Sequence, residues 1–295
     1  MNAAEMTARI ATGQGFIAAL DQSGGSTPKA LQGYGVADSE WSGEEEMFSK
    51  IHEMRSRVIT APSFASGKVI GAILFERTMD GMVDGKTTAE ALKARGVVPF
   101  IKVDQGLADA QDGAQLMQPL TKLPALLEKS LAAGMFGTKM RSVIKSANPA
   151  GIAAVVAQQF EVGEQIIDAG LMPILEPEYD ITAADRAEGE EILKSEIRKH
   201  LDAMQEDRQV MLKLSIPVQA NLFKELVEHP RVLRVVALSG GYSTEEACAE
   251  LAKNEGMIAS FSRGLLQDLR SQQSDAEFDA ALGKAIDAIC TASVG

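Results

Sequence analysis

The chain has 295 residues, of which 45% are hydrophobic, and its formal net charge at pH 7 is -12. This length and apolar content allow one large core, whereas the negative charge and the lack of a Lys/Arg cluster argue against nucleic acid as a partner. Every apolar run stops short of the roughly 18 residues that a membrane-spanning helix needs, and residues 1–12 lack the apolar segment of a secretory signal. We therefore expect a cytoplasmic protein without a membrane partner.

Eight short apolar runs follow one another along the chain, with amphipathic segments between them. The runs are 15–21, 68–75, 98–104, 137–143, 171–177, 209–215, 232–239 and 257–262. Helical periodicity marks 44–58, 119–133, 152–169, 183–204, 244–253 and 276–292, and the long gap 23–68 predicts extra surface structure after the first strand. Eight strands that alternate with helices are typical of a (β/α)8 TIM barrel, so we predict a single α/β domain over residues 1–295.

Charged and polar side chains gather in the C-terminal halves of six of these runs. They are Asp21, Lys102, Lys139, Arg141, Glu176, Lys213 and Ser239. Barrel enzymes build their active sites at this end of the strands. Because buried charges must be paired, a structural ion-pair network at the barrel mouth is the alternative, but four cations with two carboxylates favour an active site.

A lysine is a nucleophile only after it loses its proton, and burial among apolar groups or beside a second cation favours that loss. Lys213 fits this requirement best because its neighbours in the run 209–215 are apolar, and Lys139 on the fourth strand is expected to face it across the barrel. Lys102, within another apolar run, is a close competitor. Spacing alone does not choose between Lys213 and Lys102.

Two glycine-containing loops follow predicted strands, at 21–26 and 238–241. Glycine lets the backbone approach an anion closely, and backbone N–H groups before a helix start favour negative charge. Either loop alone is commonly an ordinary turn, but two of them in one barrel, with lysines opposite, indicate a phosphate-bearing ligand. The candidate phosphate-binding residues are Ser23, Ser26, Ser239, Gly240, Gly241 and Arg263.

The histidines and cysteines indicate neither a metal nor a cofactor. His52, His200 and His229 fall in or beside charged helical segments, away from the strand ends where a zinc site would need several ligands. Cys248 and Cys290 lie in helical patterns and form no CxxC pair. We expect surface histidines, reduced structural cysteines, and no metal or cofactor.

Taken in order, six motifs resemble those of class I fructose-bisphosphate aldolases in their shorter bacterial form, over residues 13–267. They are Asp21-Gln22-Ser23 in place of the family's Asp-Glu-Ser, Ile101-Lys102-Val103-Asp104, Lys139-Met140-Arg141, Pro173-Ile174-Leu175-Glu176-Pro177-Glu178, Leu212-Lys213 and Leu238-Ser239-Gly240-Gly241. The resemblance implies a metal-independent enzyme of glycolysis or gluconeogenesis that cleaves fructose 1,6-bisphosphate to dihydroxyacetone phosphate and glyceraldehyde 3-phosphate.

The same resemblance implies the roles of the site residues. Lys213 would form the Schiff base, and Glu176 would move protons while the carbinolamine dehydrates. Lys139 would assist by charge and hydrogen bonding, and Asp21 would take the proton of the C4 hydroxyl group. The residues implied for the C1 phosphate are Ser239, Gly240 and Arg263, and those for the C6 phosphate are Ser23, Ser26 and Lys102, with Arg141 lining the same mouth.

Two departures from the family's long form affect these roles. The long form carries its phosphate arginine two places later, whereas Leu265 occupies that place here and Arg263 precedes it. The long form also ends in a tyrosine that aids protonation of the enamine. The tyrosines of this chain are Tyr34, Tyr179 and Tyr242, so we assign that proton transfer to Glu176.

Two other functions are compatible with the sequence. Another imine-forming phosphosugar aldolase, or a transaldolase, would keep the lysine but need only one phosphate site. A non-catalytic sugar-phosphate-binding barrel would need no nucleophile, so the retained Lys213 argues against it. The sequence leaves the oligomeric state open and is compatible with a homo-oligomer.

Overall fold

The computed structural model describes residues 1–294 as a barrel of eight parallel strands surrounded by helices. The strands are β1 (Phe16–Leu20), β2 (Val69–Leu74), β3 (Val98–Lys102), β4 (Gly137–Ile144), β5 (Met172–Tyr179), β6 (Val210–Ser215), β7 (Val232–Leu238) and β8 (Ile258–Ala259). Each strand pairs with the next in chain order, and the N–H of Ala19 donates to the carbonyl of Phe261 at 3.3 Å, which brings β1 beside the end of β8. The predicted TIM barrel is confirmed, and each predicted run overlaps one strand.

Helices connect the strands and cover the outside of the barrel. They are α1 (Ala3–Thr12), α2 (Ser26–Tyr34), α3 (Gly43–Thr60), α4 (Glu76–Met79), α5 (Thr88–Ala94), α6 (Leu123–Ala132), α7 (Pro149–Asp168), α8 (Arg186–Ala203), α9 (Lys224–Val227), α10 (Thr244–Leu251), α11 (Arg263–Leu266) and α12 (Asp275–Val294). The six predicted helices correspond to α3, α6, α7, α8, α10 and α12, with shifted ends. For example, α7 begins earlier than predicted because the side chain of Asn148 accepts from Ala150 N at 2.9 Å and Pro149 occupies the first helical position.

The segment between β1 and β2 holds α2, α3 and two 3-10 turns, Asp38–Glu40 and Pro62–Ala65, in agreement with the predicted extra structure. Three very short strands were not predicted. Met82–Val83 and Lys86–Thr87 form an antiparallel hairpin, and Ala114–Gln115 pairs antiparallel with β4. None of the three lies in an apolar run such as the one that marks the equally short β8, so no pattern in the sequence indicates them.

Two apolar layers stabilise the barrel. One lies between the strands and the surrounding helices, and the other fills the barrel interior with side chains such as Phe100 and Ile174. Because both faces of the strands are covered, their sequences read as nearly continuous apolar runs. Met6 and Ile10 of α1 pack against the interior layer at the N-terminal end of the strands. The C-terminal ends are therefore the end at which polar side chains and a ligand can be accommodated.

No helix in the described part of the chain has the length and apolar character needed to cross a membrane. Cys248 and Cys290 form no disulfide bond, as predicted. Burial raises the pKa of both thiols above the ordinary value. Both cysteines are therefore protonated structural residues at neutral pH.

Candidate active site

A cavity of about 460 Å³ opens at the C-terminal ends of the barrel strands. Eleven of the twelve residues that the sequence assigned to the site line this cavity, and they come from the ends of seven strands. They are Asp21, Ser23, Ser26, Lys102, Lys139, Arg141, Glu176, Lys213, Ser239, Gly240 and Arg263. The twelfth, Gly241, follows Gly240 and is not part of the wall, and a Cβ on it would be 3.8 Å from Arg263 Nη2. The structure thus brings the predicted residues together.

Glu176 lies between two buried lysines in the cavity wall. Its Oε1 is 3.0 Å from Lys213 Nζ, and its Oε2 is 3.0 Å from Lys139 Nζ. None of the three side chains is more than 5% exposed. The arrangement follows from strand order, since β5 carries Glu176 and lies between β4, which carries Lys139, and β6, which carries Lys213. Lys139, which was expected to face Lys213 as a second cation, lies on the other side of Glu176 and shares its carboxylate with Lys213.

Lys139 contacts three carboxylates, whereas Lys213 contacts one. Lys139 Nζ is 2.7 Å from Asp21 Oδ2, 3.0 Å from Glu176 Oε2 and 3.7 Å from Asp104 Oδ2. Burial lowers the pKa of Lys139, but the three carboxylates outweigh burial and raise that pKa above its ordinary value. Lys139 is therefore a cation at any physiological pH and is not available as a neutral amine.

Asp21 is held in its ionised form by the same cluster. Burial raises the pKa of Asp21, but the cations of Lys139 and Lys213 outweigh burial and hold that pKa well below its usual range. An ionised carboxylate in a cavity accepts hydrogen bonds, and it accepts a proton once a substrate hydroxyl group begins to ionise. Asp21 is thus an ionised carboxylate in the same cavity as Lys213.

Lys102 lies outside the cluster around Glu176. Its Nζ is 2.6 Å from Asp104 Oδ1 and donates to the carbonyl of Asp104 at 2.9 Å. The side chain lines both the main cavity and a neighbouring cavity of about 720 Å³. Lys102 is therefore at the rim, where it can contact an anion, and has no contact with Glu176.

The loop after β7 lines the cavity through Ser239 and Gly240. Gly240 and Gly241 have φ values of 60° and 130°, and a Cβ on Gly240 would lie 2.6 Å from Ile181 Cγ2, so the loop requires glycine. Within residues 1–294, the N–H groups of these two glycines make no hydrogen bond. The helix that follows is already capped, because Ser243 Oγ accepts from Glu246 N at 3.2 Å. The loop therefore keeps two backbone N–H donors that the cap of the helix does not use.

The loop after β1 uses one of its two serines internally. Ser26 Oγ accepts from Ser23 N at 3.0 Å and donates to Ser23 O at 2.8 Å. The Ser23 hydroxyl group makes no such contact within the described residues and lines the cavity. Ser23 is consequently the better placed of the two to donate to a phosphate oxygen.

Four polar residues of the cavity wall were not assigned to the site from the sequence. They are Gln22, Glu178, Ser260 and Ser262. Glu178 pairs with Arg141 and lies two residues after Glu176, on the same face of β5. Ser260 and Ser262 follow β8 with the same spacing, and the buried Ser260 Oγ lacks a hydrogen-bond partner in the described chain. Side chains two residues apart in a strand share a face, so the position of Glu176 is the signal in the sequence that identifies Glu178 as a residue of the cavity wall.

The prediction of three surface histidines was wrong for His229. His229 is 9% exposed, and its Nε2 lies 3.1 Å from Asp202 Oδ1, because the segment after α9 packs against the end of α8. His52 and His200 are half-buried, and none of the three lines the cavity. Across residues 1–294, no three His, Cys, Asp or Glu side chains are grouped in a way that could hold a metal ion.

Fold and site together define a TIM-barrel protein with a buried lysine–carboxylate cluster at the C-terminal end of its strands. The profile of the glycolytic class-I fructose-bisphosphate aldolase family matches residues 2–217, and the chain therefore belongs to this family. The matched residues include Lys213, whereas the glycine loop after β7 and Arg263 lie beyond them.

Solved structures share this fold. A fructose-bisphosphate aldolase from Plasmodium falciparum, solved in a ternary complex with TRAP and a small-molecule inhibitor, aligns with a TM-score of 0.77 and 19% identity over 99% of this chain and 94% of that chain. A protein from Corynebacterium glutamicum aligns with a TM-score of 0.53 and 14% identity over 98% of this chain and 92% of that chain. At these identities the likeness shows the barrel fold alone.

Proposed function

We propose that this protein reversibly cleaves fructose 1,6-bisphosphate into dihydroxyacetone phosphate and glyceraldehyde 3-phosphate through an imine on Lys213. The observation that carries the proposal is the position of Glu176, 3.0 Å from Lys213 Nζ and 3.0 Å from Lys139 Nζ. This cluster places an amine, a proton carrier and a fixed cation together. Membership of the aldolase family supports the reaction class.

The cavity also suits a doubly phosphorylated substrate. Five cationic side chains line it against three carboxylates, although the whole chain carries a net charge of -12. The cations are Lys102, Lys139, Arg141, Lys213 and Arg263, and the carboxylates are Asp21, Glu176 and Glu178. Local positive charge favours binding of an anion by a protein that is negative overall.

Imine formation needs a proton to leave nitrogen and another group to leave carbon. The Lys213 ammonium group gives a proton to Glu176, and the neutral amine then attacks the C2 ketone carbon to form a carbinolamine. Protonated Glu176 returns the proton to the C2 hydroxyl group, which departs as water. The positive charge of Lys213 ends on the protonated imine, and Glu176 returns to its carboxylate form beside Lys139.

Cleavage of the C3–C4 bond uses Asp21. This carboxylate takes the proton of the C4 hydroxyl group while the electron pair of the bond moves into the protonated imine, which becomes an enamine on Lys213. Glyceraldehyde 3-phosphate leaves as the aldehyde. Lys139 Nζ, 2.7 Å from Asp21 Oδ2, keeps Asp21 ionised until that step. Lys139 Nζ, 3.0 Å from Glu176 Oε2, then gives a proton to Glu176 as it takes the one that Asp21 holds, so that Lys139 stays a cation and Asp21 returns to its carboxylate form. Glu176 gives this proton to C3 of the enamine, and hydrolysis of the imine by water releases dihydroxyacetone phosphate.

Reductive trapping tests the assignment of Lys213. Incubation with dihydroxyacetone phosphate and sodium borohydride is expected to leave a covalent adduct on Lys213, because borohydride reduces the imine to a stable amine. The measurement is mass spectrometry of the digested protein. In Lys213→Met the adduct is expected to be absent and the cleavage rate to fall below about one-thousandth of the wild-type rate, since the nucleophile is removed and the apolar stem remains.

The matched control is Lys102→Met, which removes an amine from the same cavity but leaves the cluster around Glu176. This variant is expected to keep the adduct on Lys213. No adduct in the wild type, or an adduct confined to Lys102 or Lys139, would contradict the proposal. Far-UV circular dichroism establishes that each variant is folded.

A further inference from the structure

Gln159 of α7 carries a buried amide group that contacts both β4 and β5. The residue is 1% exposed, and its Oε1 accepts from the backbone N–H of Glu176 on β5 at 3.2 Å. Its Nε2 donates to the carbonyl of Met140 at 3.3 Å and to Ser142 Oγ at 2.9 Å, both on β4. Met140 and Ser142 flank Arg141, which is the residue of β4 that pairs with Glu176. One side chain therefore joins the two strands at the level of Glu176.

The contacts of Gln159 fix the direction of its amide group. A backbone N–H only donates and a carbonyl only accepts, so the amide oxygen must face Glu176 and the NH2 group must face Met140. Both N–H groups of the amide and its oxygen are then in use. A buried donor or acceptor that loses its partner costs free energy, so the amide is held in this one orientation.

On its other side, β5 loses its pairing with β6 at the level of Glu176. The pairing of the two strands in residues 1–294 ends at Leu175 and Leu212, one residue before Glu176 and Lys213. Pro177, the next residue of β5, has no N–H group with which to continue the ladder. The backbone around Glu176 is therefore held from the side of β4, where Gln159 makes its contacts.

The position of β5 matters because the Glu176 carboxylate has to reach two lysines at once. It lies 3.0 Å from Lys213 Nζ and 3.0 Å from Lys139 Nζ, and such contacts weaken beyond about 3.2 Å. Since the two lysines belong to the strands on either side, a shift of β5 toward one lysine lengthens the contact with the other. Proton transfer among the three groups therefore requires that β5 is fixed relative to β4.

We propose that Gln159 is a positioning residue that holds Glu176 between Lys139 and Lys213 for proton transfer. This inference rests on the proposed function, because it takes Glu176 to carry protons during imine formation. Gln159 is not part of the cavity wall, and it acts through the backbone of Glu176.

The test separates imine formation from binding. Gln159→Met keeps the length of the side chain but removes its three hydrogen bonds. The rate of imine formation with dihydroxyacetone phosphate is measured by borohydride quenching at successive times, followed by mass spectrometry. It is expected to fall by about tenfold to a hundredfold, because a displaced proton carrier transfers protons slowly. Hexitol 1,6-bisphosphate has two phosphate groups but no ketone, and its dissociation constant, measured by isothermal titration calorimetry, is expected to change by less than about twofold.

Gln158→Met is the matched control, because Gln158 precedes Gln159 on α7 and also contacts backbone groups. Its Oε1 accepts from Met117 N at 2.8 Å and its Nε2 donates to Met117 O at 3.0 Å, and Met117 does not line the cavity. The same substitution thus removes contacts of α7 that do not involve Glu176. The control is expected to form the imine at a rate within about twofold of the wild-type rate.

Three results would overturn the positioning role and leave the proposed function standing: a wild-type rate in Gln159→Met, an equal loss of rate in Gln158→Met, or a loss of hexitol bisphosphate affinity in Gln159→Met as large as its loss of rate. No imine in the wild type would overturn both. If Gln159→Met does not fold, Ser142→Ala decides the question, because it removes one of the three contacts of the amide. This variant is expected to form the imine about threefold more slowly, and a wild-type rate would contradict the inference.

Discussion

The chemistry of individual residues in this site depends on which charges touch. Lys139 and Lys213 are both buried lysines of apolar strands, but Lys139 contacts three carboxylates and Lys213 contacts one. Their partners come from other strands, far away along the chain. Residue type and apolar surroundings are visible in a sequence, and they identified both lysines as candidate residues of the site. The difference in charge environment between the two lysines depends on contacts that the sequence does not display.

Acid sensitivity of the fold is predicted to depend on Asp21. Burial raises the pKa of Asp21, but Lys139 and Lys213 outweigh burial, so the folded-state pKa lies well below the value of about 3.9 expected in the unfolded chain. As the pH falls below about 4, the unfolded chain takes up a proton at Asp21 and the folded protein does not, so stability decreases. In Asp21→Asn this contribution is absent, and the free energy of unfolding should fall less steeply between about pH 4 and pH 2.

Urea unfolding followed by circular dichroism at a series of pH values measures this slope. The matched control is Asp109→Asn, because Asp109 is exposed and makes no ion pair in the described chain. The control should keep the wild-type pH dependence. A slope in Asp21→Asn equal to that of the wild type would show that Asp21 is not stabilised by the lysines.

At the level of elements, α1 has a role that the sequence reading did not assign. In the sequence, residues 1–12 are distinguished only by the lack of the apolar segment of a secretory signal. In the structure, α1 packs Met6 and Ile10 against the interior layer, and Arg234 of β7 donates to the carbonyls of Ala11 and Gly13 at 2.9 and 2.8 Å. Helical spacing brings positions 6 and 10 to one face, but the barrel end that they cover is formed by strands elsewhere in the chain.

Truncation of the α1 contact is predicted to destabilise the barrel. Ile10 is 0% exposed, so Ile10→Ala should lower the free energy of unfolding by about 2–5 kcal/mol through lost burial and the cavity left behind. Leu131→Ala on α6 is the control, since Leu131 is 45% exposed, and its effect should stay within about 0.5 kcal/mol. Urea unfolding curves give both values. Equal effects of the two substitutions would mean that α1 does not contribute to the core.

For the molecule as a whole, the strands form one continuous sheet, and the two apolar layers extend over its whole length. We propose that residues 1–295 form one domain that unfolds cooperatively. Differential scanning calorimetry is expected to show a single transition whose position does not change on addition of dithiothreitol, because both cysteines are unpaired. Two separate transitions, or a shift caused by the reductant, would contradict this.

Much of the fold was predictable because it depends on local patterns. The eight apolar runs and the alternating helices identified the barrel, since strands covered on both faces must be apolar throughout. Polar residues at the ends of those runs identified eleven residues of one cavity. The antiparallel hairpin and the short strand Ala114–Gln115 were not predicted, because their pairing partners are not visible as a period.

The sequence by itself determined the barrel, the end at which the site lies and the residue types available there. The tertiary structure alone decided that Glu176 lies between Lys139 and Lys213, that His229 is buried, and that Gln22 connects Arg55 to Ser262. The physical reason is that apolar runs and periodic patterns involve only neighbouring residues and are therefore visible in a sequence. Ion pairs and directed hydrogen bonds form between groups that only the closed barrel brings within about 3 Å.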